Sequence, residues 1–306
     1  MYIGFDTSNY TTSVAVFDGE HMINKRRLLT VKSGERGMRQ SDAVFQHTVN
    51  MPSLISEISV DKNNIRAVAV SSRPRNIDGS YMPCFLVGIN SAVSVSKFSG
   101  APLYKTSHQV GHILAGLYSI QRLDLINEPF VAFHISGGTT EALLVEPDND
   151  EIITAKIIAQ SSDLKAGQAI DRAGVMMGLP FPCGKELDRL SLLSDEKYKI
   201  KPSMNGLDCS LSGVENKAKK LFENGESKED ISKFVLTYIA NSIDEMTQRV
   251  IDVYGNIPIM FVGGVMSNTL IRNQITKKYN AYFAEPDLSC DNACGIAIYA
   301  YLKDRK

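Results

Sequence analysis

The sequence lacks a strong net charge, a cysteine framework and a long apolar run. Its 33 Lys and Arg residues nearly balance 34 Asp and Glu residues, so a global nucleic-acid-binding surface is excluded. The five cysteines form no Cys-x-x-Cys pair, which excludes a disulfide framework and a zinc ribbon. No segment reaches about 18 uninterrupted apolar residues, so no membrane span is expected. The cysteines are Cys84, Cys183, Cys209, Cys290 and Cys294.

These absences predict a cytoplasmic protein with reduced thiols. Residues Met1 to Asp6 indicate a β-strand rather than a signal peptide, because they have no positive start and no long apolar core. The length of 306 residues predicts about two domains. With a net charge of −1, any RNA contact requires a local basic patch, and solvated surface charge is the favoured alternative for each candidate alone. The candidates are Lys25-Arg26-Arg27, Arg73-Pro74-Arg75, and Lys217 with Lys219-Lys220.

An internal repeat predicts the architecture. The segments Ile3 to Phe17 and Val131 to Val145 both alternate apolar residues on either side of a polar turn, which is typical of a β-hairpin. Identical residues recur at one constant offset and lie around the turn, where backbone amides can bind an anion. The first copy supplies a possible phosphate hairpin with Ser8, Thr11 and Thr12.

The two halves continue with the same order of elements. A predicted helix, Asp42 to Ile58, precedes the strand Ile65 to Val70, and a helix from Ile231 to Tyr254 precedes the strand Ile257 to Val262. Further helices are predicted from Pro83 to Lys97, Met266 to Lys278 and Asn292 to Leu302. This order predicts an α/β protein with mixed sheets covered on both faces.

Two turns in the second half are candidate phosphate sites. Ser136-Gly137-Gly138-Thr139 follows an apolar strand, and its glycines leave backbone amides uncovered. A simple hairpin turn is the alternative. Gly263-Gly264 follows a buried strand and opens a helix that contains Asn268, which is typical of nucleotide sites in such sheets. A plain strand-to-helix turn is the alternative there.

His108 and His112 are separated by one helical turn, which places both imidazoles on one face within reach of one divalent ion. Gln109 follows the first histidine, where a zincin protease has its general-base Glu, so proteolysis by that mechanism is disfavoured. Two buried structural histidines are the alternative. Asp291 is a candidate third ligand or a helix N-cap, and Cys294 is a further metal candidate or a core residue.

Asp171 lies in an amphipathic helical stretch. Its carboxylate could accept hydrogen bonds from ribose hydroxyls, or it could pair with Arg172 on the surface.

Taken together and in this order, these motifs resemble the tRNA N6-threonylcarbamoyladenosine transferase family, called TsaD in bacteria, whose members were long named O-sialoglycoprotein endopeptidases or Gcp glycoproteases. The resemblance runs over nearly the whole chain. The residues that carry it are Asp6-Thr7-Ser8, His108 with His112, Ile135-Ser136-Gly137-Gly138, Ala166 to Asp171, Leu179 to Gly184, Leu211-Ser212-Gly213-Val214, Gly263-Gly264-Val265 with Asn268, and Asp291-Asn292.

The resemblance implies the actin-like ATPase (ASKHA) fold, with two duplicated ribonuclease-H-like domains and a nucleotide cleft between them. The first domain would span residues 1–107, completed by the C-terminal helix 292–306, and the second residues 108–291. The resemblance also implies iron or zinc held by His108, His112 and Asp291. It implies ATP, ADP or a threonylcarbamoyl-AMP-type adenylate as the nucleotide, and transfer of the acyl group to N6 of adenosine 37 in tRNA. No catalytic residue is assigned. The implied nucleotide-site residues are Ser136, Gly137, Gly138, Thr139, Asp171, Gly184, Gly263, Gly264 and Asn268.

Three departures from the family pattern predict a divergent paralogue. The family's first hairpin reads roughly Glu-Thr-Ser-Cys-Asp-Asp/Glu-Thr, and its acidic pair is Tyr10-Thr11 here. The family's Gly-Pro-Gly loop is Arg73-Pro74-Arg75, and Thr139 stands where the family usually has His or Asn. A non-catalytic nucleotide-binding partner or regulator, and a carbamoyltransferase acting on a small molecule, are therefore alternative functions.

The resemblance also implies a protein partner. Family members pair with a smaller TsaB-like relative through helices of the first domain. The corresponding helix 42–58 carries apolar residues that could contact such a relative or a second copy of this chain. A normal amphipathic helix packed on its own sheet is the alternative.

Overall fold

The computed structural model describes residues 1–8, 10–31, 38–289 and 291–306. Asn9 of the first hairpin and the predicted reduced thiol of Cys290 therefore lie outside the described residues. The other four cysteines are free and buried. In the described part of the chain, no helix has both the length and the apolarity needed to cross a membrane.

The chain contacts divide the protein into two compact units. Unit 1 comprises residues 1–128, 146–155 and 287–306, and unit 2 comprises residues 129–145 and 156–286. In chain order the elements are β1 (Tyr2–Asp6), β2 (Thr11–Phe17), β3 (Met22–Leu28), α1 (Gln40–Ser56), β4 (Ala67–Arg73), α2 (Phe85–Ser99), β5 (Leu103–Ser107), α3 (His108–Ser119), β6 (Phe130–Ile135), β7 (Thr140–Asp148), β8 (Ile152–Gln160), α4 (Ala166–Met176), α5 (Gly184–Ser191), β9 (Ser203–Asn205), β10 (Asp208–Ser210), α6 (Ser212–Glu223), α7 (Lys228–Tyr254), β11 (Ile259–Val262), α8 (Thr269–Lys278), β12 (Ala281–Phe283), α9 (Pro286–Ser289) and α10 (Cys294–Asp304). Short 3₁₀ helices span Lys62–Asn64, Leu123–Asn127 and Gly264–Ser267.

The two large sheets repeat one strand order. The first runs β3-β2-β1-β4-β5 and the second runs β8-β7-β6-β11-β12. In each sheet the central strand pairs antiparallel with the next strand of its hairpin and parallel with a strand that follows a helix. The duplication predicted from the two hairpins is therefore confirmed at the level of sheet topology.

The inner strands of each sheet are buried on both faces. All residues of β1 and β2 are buried, and so is every residue of β11. Strands buried on both faces need helices on both sides. In unit 1 these include α1, whose buried residues Ala43, Met51 and Leu54 face the sheet, and α10. In unit 2 the long helix α7 contributes the largest share of the core, including Ile239, Ile243 and Met246.

A close helix contact assigns α3 to unit 1. A Cβ atom on Gly295 of α10 would lie 1.8 Å from the Gly111 carbonyl oxygen of α3, and a Cβ on Gly111 would lie 2.7 Å from the Ile296 side chain. Only glycine allows the two backbones to approach so closely. The predicted domain boundary at residue 107 separated α3 from α10, whereas these contacts place both in the same compact unit.

A buried histidine on α1 predicts a loss of stability in acid. His47 is fully buried, its Nδ1 lies 2.8 Å from the Thr12 hydroxyl oxygen, and its Nε2 has no hydrogen-bond partner among the described residues. Burial lowers the pKa of His47 to about 4, against a smaller opposing effect of the Asp6 charge. Between that pH and the ordinary value of about 6.5, the unfolded chain binds a proton that the folded chain excludes. The free energy of unfolding therefore decreases as the pH falls through this window.

We expect His47→Gln to remove about 3 kcal/mol of this loss between pH 7 and pH 4. Urea unfolding of wild type and variant across that range measures it. His21→Gln is the matched control, because the His21 side chain is exposed and its replacement leaves the core unchanged. An identical pH dependence in wild type and His47→Gln would contradict the assignment of a neutral buried imidazole.

Candidate metal and nucleotide sites

The two histidines of α3 face Asp291 in unit 1. The Ser107 side chain accepts a hydrogen bond from the Val110 amide and begins α3, so that His108 and His112 occupy successive turns of one face. Asp291 precedes α10, and its Oδ1 lies 3.1 Å from His112 Nε2 and 3.5 Å from His108 Nε2. One ligand atom from each of the three residues lies within 4.8 Å of the other two. The three residues predicted to share an ion are thus together.

The charges of this cluster shift its protonation equilibria. Burial opposes protonation of His108, but the charges of Asp6 and Asp291 outweigh it and raise the pKa of His108 to about 10. Burial alone would raise the pKa of Asp291, but the two histidines hold it well below its usual range. Asp291 is therefore ionised at neutral pH, as a metal ligand must be. The alternative of an N-cap is not seen, since Ala293 is the N-cap of α10.

Asp6, which the sequence named only as part of a family motif, is a further member of this cluster. Its side chain is fully buried at the end of β1, and its Oδ2 lies 3.1 Å from His108 Nδ1. Ser8 and Ser71 donate hydrogen bonds to its two carboxylate oxygens. An Asp at the end of a central strand was the available signal, but its partners come from β4 and α3, which are far away in the sequence.

The hydroxyls of the first hairpin are largely engaged within unit 1. Ser8 Oγ donates to Asp6, and Thr12 Oγ1 contacts His47 and Asn50. Thr11 is buried, and its amide donates to the Ser8 carbonyl oxygen at 3.1 Å. The assignment of this hairpin to a phosphate stays a prediction. Cys294 is fully buried, and burial raises the pKa of its thiol to about 12, which favours the predicted alternative of a core residue.

In unit 2, three backbone segments meet where β6 and β11 end. The Ser136 amide donates to the Thr139 carbonyl oxygen at 2.7 Å, which makes residues 136–139 a tight hairpin turn. The start of α4 presses on this turn, because a Cβ on Gly167 would lie 2.6 Å from Gly137 Cα. Gly263, with a φ of 103°, approaches the Ile135 carbonyl so closely that an added Cβ would lie 2.3 Å from its oxygen.

The remaining glycines of these segments face open space. A Cβ added at Gly137, Gly138 or Gly264 would meet no atom within 4 Å. The same holds for Gly184 at the start of α5. Glycine at such positions leaves the backbone amides accessible to a ligand, and the N-terminus of α4 adds the positive end of its dipole. The arrangement could bind an anion such as a phosphate.

Asp171 and Asn268 have structural partners next to this turn. Asp171 is half-buried and accepts a hydrogen bond from the Cys183 amide at 2.8 Å, whereas Arg172 pairs with Glu215. Burial raises the pKa of Asp171, against that hydrogen bond. Asn268 caps α8 by accepting from the Ile271 amide at 3.1 Å. The alternative of an Asp171–Arg172 surface pair is therefore not what the structure shows.

Asp163 gives a physical reason for the family motif Leu211-Ser212-Gly213-Val214, which the sequence alone did not explain. Its carboxylate accepts hydrogen bonds from the Leu211 amide at 2.8 Å, the Ser210 hydroxyl at 2.5 Å and the Ser212 amide at 3.2 Å. These bonds cap α6 and tie it to the loop before α4. They also outweigh the effect of burial and hold the pKa of Asp163 well below its usual range.

The predicted basic patches are partly neutralised by nearby acids. Lys25 and Arg27 both lie within 4 Å of Glu57. Arg73 lies 3.5 Å from Glu151, which also contacts Asn76. The charges of Arg73 and Glu151 therefore offset each other. Lys219 pairs with Glu223, and Lys217 lies over the ring of Tyr238, both in unit 2.

A protein-family comparison decides the family. The model described as tRNA N6-adenosine threonylcarbamoyltransferase matches residues 29–298. The chain belongs to the tRNA N6-adenosine threonylcarbamoyltransferase family. Enzymes of that name from Streptococcus pneumoniae (strain Taiwan19F-14) and Lacticaseibacillus casei (strain BL23) are each 25% identical to it, over 99% of this chain and 91% and 92% of the relatives.

Solved structures show the same fold at lower identity. Component A of the Acidaminococcus fermentans (R)-2-hydroxyglutaryl-CoA dehydratase has a TM-score of 0.60 at 15% identity, over 100% of this chain and 99% of that chain. Full-length HypF in the phosphate- and nucleotide-bound form gives 0.60 at 12%, over 99% and 55%. The ROK hexokinase from Thermus thermophilus gives 0.54 at 13%, over 99% of both chains. The predicted actin-like ATPase fold is confirmed.

Proposed function

We propose that this family member transfers a threonylcarbamoyl or carbamoyl group from an adenylate to N6 of adenosine 37 in tRNA. The observation that carries the proposal is the convergence of His108, His112 and Asp291 in a chain of this family. The test is mass spectrometry of tRNA nucleosides from cells with and without the gene. A modified nucleoside lost on deletion supports the proposal, and an unchanged nucleoside profile argues against it.

The donor set fits iron or zinc. Two imidazole nitrogens and one carboxylate oxygen are ligands that both ions accept, and a site with three protein ligands leaves a position open for substrate. A bound ion at this place supplies Lewis-acid polarisation of acyl or phosphate oxygens. The role of the three residues is to hold their ligand atoms on one side of that ion.

The second part of the proposal is a nucleotide in unit 2. We infer that residues 136–139, the start of α4 and residues 263–264 bind the phosphates of ATP, ADP or the adenylate. The open faces of Gly137, Gly138 and Gly264 support this assignment. Asp171 lies on α4, Gly184 begins α5 and Asn268 caps α8. The Thr269 amide donates a hydrogen bond to Asp188, which ties α8 to α5. Asp171, Gly184 and Asn268 are the proposed contacts of the nucleoside.

We expect Asp171→Ala and Asn268→Ala each to weaken adenylate binding by about 1–3 kcal/mol, through loss of a buried hydrogen-bond partner. Isothermal titration calorimetry with ATP, ADP and AMP measures the change. Asp188→Ala is the matched control, because it also removes a hydrogen bond from the N-terminus of α8 but is not a proposed nucleotide contact. Unchanged affinity in both test variants, or an equal loss in the control, would reject the assignment.

We also propose a protein partner on the outer face of α1. Three apolar residues of α1 are buried in the core of unit 1: Ala43, Met51 and Leu54. Phe45 and Val49 on the same helix are instead 70% and 59% exposed. Phe45 and Val49 are one turn apart on α1, so they form adjoining apolar surface of the kind that favours an interface. The proposed occupant is a smaller TsaB-like relative or a second copy of this chain. Light scattering with and without that relative distinguishes the two.

A tRNA contact would use the basic residues of α6, and a cytoplasmic location remains part of this proposal.

One observation favours the alternative functions. The family's acidic pair is Tyr10-Thr11 here, and Thr11 is buried as the first residue of β2. A non-catalytic nucleotide-binding regulator or a carbamoyltransferase with a small-molecule acceptor would retain the metal and nucleotide residues without that pair. The nucleoside profile separates the small-molecule carbamoyltransferase from the leading proposal, because its loss leaves the modified nucleoside unchanged. Purified protein with an adenylate donor and tRNA separates the non-catalytic regulator, which forms no modified nucleoside by itself.

A further inference from the structure

Asp6 holds one ring nitrogen of His108 from behind the candidate metal site. Its carboxylate has no solvent exposure, and Oδ2 lies 3.1 Å from His108 Nδ1. Ser8 Oγ donates to Oδ2 at 2.8 Å and Ser71 Oγ donates to Oδ1. The ends of β1 and β4 and the start of α3 thus fix the carboxylate from three sides.

This contact determines which nitrogen of His108 can bind a metal. A carboxylate oxygen accepts a hydrogen bond from an N–H, so the contact with Asp6 favours a proton on Nδ1 of His108. Metal binding then displaces a proton from Nε2 rather than from Nδ1, and the lone pair that binds the metal lies on Nε2. His108 Nε2 lies 3.5 Å from Asp291 Oδ1, on the side where His112 Nε2 lies 3.1 Å from the same oxygen. Both histidines thereby present Nε2 to one point.

We propose that Asp6 is a positioning residue of the metal site, which sets the Nδ1–H tautomer and the ring orientation of His108. The inference rests on the metal site of the proposed function. The charges agree with it, because the two carboxylates of Asp6 and Asp291 match a divalent cation when both imidazoles are neutral. Carboxylates that hold a ligating histidine raise its basicity and its affinity for the metal.

Asp6→Asn tests the tautomer directly. The amide of Asn can donate its N–H to His108 Nδ1, which moves the ring proton to Nε2 and removes the lone pair from the metal side. We expect Zn²⁺ affinity of the metal-free protein, measured by competition calorimetry, to fall about 10- to 100-fold. In the Zn²⁺-loaded protein, long-range ¹H–¹⁵N NMR of the His108 ring is expected to show the Nδ1–H form in the wild type and its loss in Asp6→Asn.

A double-mutant cycle with His108→Ala separates positioning from general support of the fold. If Asp6 acts through His108, Asp6→Asn will weaken Zn²⁺ binding no further in the His108→Ala background. Additive losses, or an unchanged His108 tautomer in Asp6→Asn, would overturn the proposal. Ser71→Ala replaces Asp6→Asn if that variant does not fold, because it keeps the carboxylate and removes one of its hydrogen-bond donors. The same two readouts apply, and we expect Zn²⁺ affinity to fall a few-fold.

His112→Ala and Asp291→Asn make the two levels of inference distinguishable. If neither variant weakens Zn²⁺ binding, the proposed metal site itself fails. If both weaken it while Asp6→Asn and Ser71→Ala bind as wild type, the metal site stands and the positioning role of Asp6 is wrong.

Discussion

Replacing His108 and His112 together with alanine is expected to abolish copurification of iron or zinc. The change removes both nitrogen ligands, and Asp291 alone is too few ligands for a site that competes with buffer and cellular chelators. Plasma mass spectrometry of the purified wild type and double variant gives the metal content per chain. The wild type is expected to contain close to one ion and the variant close to none.

A matched control excludes loss of metal through any histidine. His21→Ala removes a histidine whose side chain is 82% exposed and whose neighbour is Asp18 rather than Asp291. The urea midpoint of the metal-free double variant shows whether α3 still packs on α10. Equal metal content in the wild type and the folded double variant would show that His108 and His112 do not bind the metal.

The sequence could predict the fold because the order of its hairpins, helices and apolar strands matches the strand order of the two sheets. Each hairpin is visible as alternating apolar residues around a polar turn, and the strand that follows each helix is a continuous apolar run. Such runs have a single use in this fold, as central strands buried on both faces. The helix bounds moved by a few residues only; the predicted helix at Asp42 to Ile58 is Gln40–Ser56.

The metal cluster was partly predictable for the same local reason. The spacing of His108 and His112 specifies one helical face, whereas the sequence left Asp291 as either a third ligand or a helix N-cap, and the family resemblance favoured the ligand. The partners of Asp6 could not be predicted, because no periodicity in one segment specifies which residues of β4 and α3 reach the end of β1. The glycine contact between α3 and α10 is likewise visible only when both helices are placed, which is why the predicted boundary at residue 107 divided them.

The Arg73-Pro74-Arg75 loop shows how a nearby acid changes an interpretation based on charge. The sequence indicated a basic patch that could contact RNA. Arg73 instead lies 3.5 Å from Glu151, and the Pro74 carbonyl oxygen accepts from the Gln109 amide at 3.0 Å. The loop thus supports the start of the histidine helix. Thr139 replaces His or Asn without removing a negative charge, so Tyr10-Thr11 is the departure with the largest expected effect on transfer.

We expect the transfer proposed for this protein to be slow, so that the protein alone restores little of the modified nucleoside in a strain depleted of its ordinary tRNA threonylcarbamoyltransferase. The family's acidic pair lies in the hairpin turn that follows Asp6 at the end of β1. An acidic pair near a metal can order water or balance the ion's charge. Tyr10 and Thr11 can form hydrogen bonds but carry no negative charge at neutral pH. Mass spectrometry of the tRNA nucleosides measures the restoration.

Variants of the hairpin make this expectation specific. Tyr10→Asp returns one acidic residue at a partly exposed position, and it is expected to increase the modified nucleoside over the wild-type protein. The same change in the His108→Ala, His112→Ala background is the control, because an acid without the metal ligands should restore nothing. Cells that also express a smaller TsaB-like relative test whether a missing partner, rather than the hairpin, limits transfer. Full restoration by the unaltered protein alone would show that Tyr10 and Thr11 are tolerated and that the hypothesis of impaired transfer is wrong.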